Sequence, residues 1–154
     1  MTRSNFAPDP SAQLAALQSA AHPYCFACSG SNPMGLALRY SVAPDGSVSA
    51  SFIGNCALES YPGVLHGGLV ATVLDGAMTN CLFAHGIRAL TAELQVRYHE
   101  PVQSAAELQV RAWQESSRHG VLALRATLTQ NDRIKARAQA KFIEPRKVPF
   151  QPPT

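Results

Sequence analysis

The sequence predicts an α+β fold, one long helix able to cover one face of an antiparallel β-sheet of five to six strands. Three observations predict it. One stretch alone repeats its apolar residues with a helical period over several turns, from Leu69 to Leu82. The runs on either side alternate apolar and polar residues with the period of a strand. Short turn signals separate those runs, which suits strands that fold back on their neighbours. The length of 154 residues suits one domain, and 46% hydrophobic with 15% charged residues supply a core without the charge of a disordered chain.

Residues 1–10 read as a loose arm. Ser11 is the expected cap of a short helix through Ala21, with Leu14 and Leu17 on one face. His22-Pro23 ends that helix, because the residue before proline avoids helical angles. Cys28 to Gly35 is rich in turn residues. Leu36, Leu38, Tyr40 and Val42 alternate with more polar neighbours, as do Val48, Ala50 and Phe52. With Pro44-Asp45-Gly46 between them, the two runs predict a hairpin.

In the long helix, Leu69, Val70, Val73, Leu74, Ala77, Met78, Cys81 and Leu82 share an apolar face. The opposite face is Ala71, Thr72, Asp75, Gly76, Thr79 and Asn80. It is small and polar where a solvated face would carry Lys and Glu, so it is expected to pack near another surface. His85-Gly86 supplies the stop. Four alternating runs follow: Leu90 to Tyr98, Ala106 to Trp113, Leu122 to Leu128, and Ile134 to Phe142. Turns are expected around Arg118–Gly120 and at Asn131-Asp132. The organisation expected is an arm with a short helix (1–24), the main domain (25–145) and a proline-rich tail (146–154). One helix covers one sheet face and edge strands need protection, so the architecture predicts a homodimer.

The net charge of +3, with ten Arg against three Lys, is a mild basic excess. No basic run is interleaved with aromatics, and no nucleic-acid partner is expected. The arginines suit scattered phosphate contacts, though GC-rich coding explains them equally well. The N-terminus lacks a basic-then-apolar signal pattern, and no apolar run approaches the roughly 20 residues of a membrane span, so a cytoplasmic location without membrane attachment is expected. The four cysteines make no disulfide framework. Cys25-x-x-Cys28 is half of a zinc site without a second ligand pair, and a redox role lacks its fold context. No metal and no cofactor are expected. Cys56 and Cys81 read as buried small hydrophobes.

The chemistry concentrates at Gly63-Val64-Leu65-His66-Gly67-Gly68 and the helix it opens. Two glycines at a helix entrance leave backbone N–H groups unobstructed, and the helix N-terminus carries partial positive charge. Such a site can hold a carbonyl oxygen and stabilise the oxyanion formed on attack. Asp75, about two turns along the polar face, can activate water or attack directly, with Thr79 one turn further on. Taken singly, these residues have plainer readings: Gly67-Gly68 a tight turn, His66 a cap, Asp75 an ordinary hydrogen-bonded helix residue.

Their combination is recognisable. Tyr61-Pro62-Gly63-Val64-Leu65-His66-Gly67-Gly68-Leu69-Val70-Ala71-Thr72-Val73-Leu74-Asp75 resembles the signature of PaaI-type hotdog-fold acyl-CoA thioesterases, a His-Gly-Gly helix entrance with an acidic residue nine positions after the histidine. Cys25 to Leu36 resembles the lead into the first strand of some members, and Arg97-Tyr98-His99-Glu100-Pro101-Val102 the strand after the helix. The resemblance implies a hotdog fold, a long central helix wrapped by the antiparallel sheet, whose protomers pair through their sheets, with active sites at the dimer interface and frequent pairing into a homotetramer. It implies an acyl-CoA substrate, coenzyme A entering only as part of it. The implied catalytic set is Asp75 as nucleophile or general base, acting from the neighbouring protomer, the Gly67 N–H as oxyanion donor, His66, and Thr79 to position water. Gly68, Ser60 and Thr91 are the implied substrate-binding residues. Ser60 stands where relatives commonly carry Asn or Gln, and Glu59 beside it reads as a solvated loop residue. The expected reaction is hydrolysis of an aryl or medium-to-long acyl-CoA to free acid and CoA. The alternative is a non-catalytic acyl-CoA binder or sensor on the same fold; a dehydratase using His66 as base leaves Asp75 without a role. Arg97, Arg125, Arg133 and Arg137 are candidates for the CoA phosphates.

Overall fold

The computed structural model describes residues 8–146. The first helix, α1 (Pro10–Ala21), is capped two residues earlier than the sequence suggests. Pro10 has no N–H to lose and a backbone angle already set for a helix, so it takes the first helical position. Asp9 becomes the cap, its carboxylate accepting the Ser11 N–H at 3.2 Å.

The first predicted strand shrinks to β1 (Ser41–Val42), paired with β2 (Val48–Ile53). The reason lies in where the backbone of Leu36–Leu38 spends its hydrogen bonds. Leu36 N–H donates to the Phe26 carbonyl at 2.8 Å and Leu38 N–H to Ala27 at 2.9 Å, while Ala37 takes a positive φ of 49°. This segment is stitched to the loop before it and never joins the sheet.

The long helix is α2 (Gly67–Ala84), followed by β3 (Leu90–Tyr98), β4 (Glu107–Arg118), β5 (Val121–Gln130) and β6 (Arg133–Ile143). All strand pairs are antiparallel, in the order β1-β2-β4-β5-β6-β3. The turns at His119-Gly120 and Asn131-Asp132 place both central residues at positive φ, the hairpin geometry that matches strand twist. Alternation carries directly into packing: Leu108, Val110, Ala112, Leu124, Leu128, Ala136 and Phe142 point inward against Val70, Val73, Leu74, Ala77, Met78 and Leu82 of α2.

By length and composition α2 would pass for a membrane span, but most of it lies buried inside the fold. Its small polar face is covered by the chain's own N-terminal segment. A Cβ on Gly76 would come within 2.9 Å of the Ala27 Cβ and 3.3 Å of the Tyr40 hydroxyl. From α1, the Gln18 amide donates to the Asn80 side-chain oxygen at 3.1 Å. Residues expected to be an arm thus supply a wall of the core. Beyond Arg146, the expected tail lies outside the described residues. Cys81 is buried as expected, whereas Cys56 is exposed, because it opens a short 3-10 turn (Cys56–Leu58) on the loop between β2 and α2.

Strand β3 does not join its sequence neighbour β4. Its connection crosses to the far edge, where β3 pairs with β6 and leaves its other side open. That connection also fixes the helix entrance: Val102 accepts the Leu65 N–H at 2.8 Å, and Gly63 accepts the Ser104 N–H at 3.0 Å.

Candidate active site

The start of α2 is held from three sides. Besides the two bonds above, His66 N–H donates to the Leu58 carbonyl at 2.9 Å. Glu59 is less solvated than the sequence suggests: it is half-buried and accepts the Ser104 hydroxyl proton. His66 is the N-cap, its Nδ1 accepting the Gly68 N–H at 2.9 Å, and its carbonyl receives the Leu69 and Val70 N–H groups. Of the first four amides, only that of Gly67 has no hydrogen-bond partner among the described residues. Gly67 lines an open cleft of about 400 Å³ with Ser60, Tyr61, Tyr98 and Pro101. The Tyr98 hydroxyl donates to the Gly67 carbonyl at 2.6 Å and anchors the glycine from the end of β3.

Asp75 lies further along the helix, half-buried. The Thr91 hydroxyl donates to its Oδ1 at 2.8 Å across to β3. Burial pushes the Asp75 carboxyl above the usual carboxylate range; the Thr91 bond opposes that shift, and the nearby Cys25 sulfur adds to it. Thr79 reaches Asp75 through the backbone, its hydroxyl donating to the Asp75 carbonyl at 3.1 Å, and is itself buried.

The seven candidates therefore form two clusters. His66, Gly67, Gly68 and Ser60 gather at the helix entrance; Asp75, Thr79 and Thr91 gather at its middle. Eight residues of helix separate Gly67 from Asp75, about 12 Å at 1.5 Å per residue. One bound carbonyl cannot touch both within a single chain. Tyr98 escaped the sequence reading because its alternation in β3 identifies a face, not a partner across the fold.

Of the four arginines, Arg133 pairs with Glu100 and Arg125 with Glu115. Arg97 and Arg137 are direct cross-strand partners on β3 and β6. They share with Arg125 a groove of about 430 Å³.

The family model of the thioesterase superfamily matches residues 62–136, a span holding the helix entrance, Asp75 and Thr91. Over those residues the chain is similar to the thioesterase superfamily. Acyl-coenzyme A thioesterase THEM4 of Rattus norvegicus is 30% identical over 95 residues, which cover 60% of this chain and 41% of that protein. The chain thus spans less than half the length of the curated relatives it matches. A variant of the phenylacetic acid degradation protein PaaI from Thermus thermophilus superposes with a TM-score of 0.64 at 18% identity, over 71% of this chain and 94% of that one. A hypothetical thioesterase protein from Streptococcus pneumoniae, solved with coenzyme A, gives a TM-score of 0.64 at 16% identity, over 69% of this chain and 86% of that one. The six-stranded sheet around a central helix is the hotdog fold that these structures share.

Proposed function

We propose that the chain hydrolyses an acyl-CoA thioester to a free acid and CoA, at a site shared between two protomers. The observation that carries this reading is the unpartnered Gly67 N–H, at the positive end of α2 and on an open cleft. The thioester carbonyl oxygen accepts that N–H. A carboxylate removes a proton from water, hydroxide adds to the carbonyl carbon, and the C–S bond breaks as the carboxyl returns that proton to the leaving sulfur, releasing CoA as its thiol. Asp75 is the carboxylate, held by Thr91 and made more basic by burial.

Because Gly67 and Asp75 of one chain lie too far apart, Asp75 acts on a thioester held by Gly67 of a second copy. The open edge of β3 is where that copy joins. THEM4's activity and the coenzyme A bound by the Streptococcus protein support the substrate class. The paired Arg97 and Arg137 suit the phosphates.

Ser60 keeps a second reading in play, a CoA-ester binder without turnover. Its exposed side chain stands in the entrance cluster, short of any contact with Asp75. The deciding experiment is a thiol-release assay over aryl and aliphatic acyl-CoAs, with Asp75→Asn alongside. Hydrolysis is expected for one substrate class, with kcat falling by roughly 10²–10⁴ in the variant while binding survives. Saturable binding without thiol release at any chain length would establish the binder instead.

A further inference from the structure

The end of α1 carries a second cluster that the proposed hydrolysis does not use. His22, Cys25 and Cys28 each offer a ligand atom, all within 4.8 Å of one another. We propose that these three residues form a metal site for an ion of the Zn²⁺ class, with a fourth position open to water.

The geometry suits such an ion. Zinc–sulfur and zinc–nitrogen bonds of about 2.3 and 2.05 Å, set at a tetrahedral angle, put sulfur and nitrogen about 3.6 Å apart. The observed separation of Cys28 Sγ and His22 Nδ1 is 3.6 Å. Two sulfurs and an imidazole are a borderline-soft donor set that selects zinc over magnesium or calcium.

The side chains of Cys28 and His22 and the backbone N–H groups of Cys28 and Ala27 all converge on the Cys25 sulfur. The side-chain amides of Gln18 and Asn80 lie beside Cys28 as outer donors. The Tyr40 hydroxyl is buried among Cys25, Cys28 and Asp75 without a partner among the described residues. A metal-bound water or a ligating sulfur would accept its hydrogen bond. His22 is also the C-cap of α1, where the helix end carries partial negative charge and favours a cation. A cavity of about 440 Å³ bordered by His22 and Cys28 gives an ion access.

Binding releases two thiol protons and leaves a neutral centre of two thiolates, one imidazole and a divalent ion. The ion clamps the end of α1 to the loop that packs on Gly76, and so fixes the wall behind Asp75. The His-x-x-Cys-x-x-Cys spacing is present in the sequence, but the expectation of a second cysteine pair passes over the histidine.

The test uses the full chain, reduced, chelator-stripped and kept anaerobic, titrated with Co²⁺ as a spectroscopic stand-in and with Zn²⁺. Uptake of one Co²⁺ per chain is expected, with a thiolate-to-cobalt charge-transfer band, the strong visible absorption of a tetrahedral site, and displacement by Zn²⁺. Zn²⁺ is also expected to raise Tm. Cys25→Ser, at a half-exposed position, and His22→Gln should each weaken binding beyond the roughly 10–100-fold that outer partners account for. Stripped protein with native circular dichroism that shows neither charge transfer nor a Tm rise overturns the proposal. So does unchanged Zn²⁺ affinity in both variants, each checked for native dichroism.

Discussion

The Thr91 hydroxyl donates to Asp75 Oδ1 at 2.8 Å, tying the middle of the central helix to an edge strand. This bond favours the ionised carboxylate, while burial and the Cys25 sulfur disfavour it and His22 opposes them weakly. Thr91→Val removes the donor and keeps the shape. The Asp75 carboxyl should then rise further. The acid limb of kcat/KM should move to higher pH, and the rate on that limb should fall by about fivefold, the worth of one hydrogen bond of about 1 kcal/mol. A pH profile of thiol release for both proteins checks this; coincident limbs would refute the link.

The same burial has an opposite consequence for stability. A carboxyl whose pKa is raised by folding makes the folded state less stable once pH climbs above its ordinary value of 3.8, and the penalty is complete above the raised value. Asp75→Asn should therefore have a higher Tm than the parent at pH 7 to 8, with the gap closing as pH falls toward 3.8. Thermal melts across that range test the sign. A variant less stable at neutral pH than at acid pH, relative to the parent, would contradict it.

Gly67 offers an unusually clean deletion. It is the first residue of the helix, where proline is tolerated, and His66 has the extended ψ of 132° that precedes proline comfortably. An added Cβ would meet the Tyr98 ring at 3.6 Å, an ordinary contact. Gly67→Pro should fold normally and lose roughly 10²–10³ in kcat, the cost of one oxyanion donor. Mixed in equal amounts with Asp75→Asn and re-associated, it should regain about a quarter of parental activity, because random pairing makes half the dimers mixed, each with one intact site. No recovery would place Gly67 and Asp75 in separate sites.

Arg97 and Arg137 face each other across β3 and β6. Like charges directly opposite repel, so an anion between them relieves the pair. Arg97→Gln or Arg137→Gln should raise KM for acyl-CoA several-fold with kcat little changed, and weaken the dependence of KM on salt. Stability should hold or improve. Unchanged KM in the double variant would move the phosphates elsewhere.

Most of the fold was legible because its signals are local. The periodicity of α2, the alternation of β3 to β6 and the Asn131-Asp132 turn each follow from neighbours in sequence. What escaped was decided by distant partners. Leu36–Leu38 alternates like a strand, but its N–H groups go to Phe26 and Ala27. The small face of α2 signalled a covering surface, yet nothing nearby identified α1 as part of it. At the candidate site, spacing and resemblance singled out Asp75 and Thr91, which the fold brings into contact. The contacts of Tyr98 with Gly67 and of His22 with Cys28 were not legible, since both are made only on folding.

The open edge of β3 runs for nine residues, from Leu90 to Tyr98, with little of it covered on either face. Exposed backbone of that length will accept any extended chain, not only its proper mate. With the shared site proposed above, a protomer diluted below its pairing threshold would be idle and adhesive at once. Keeping the chain dispersed and keeping it working would then become one problem, governed by how much of it is present.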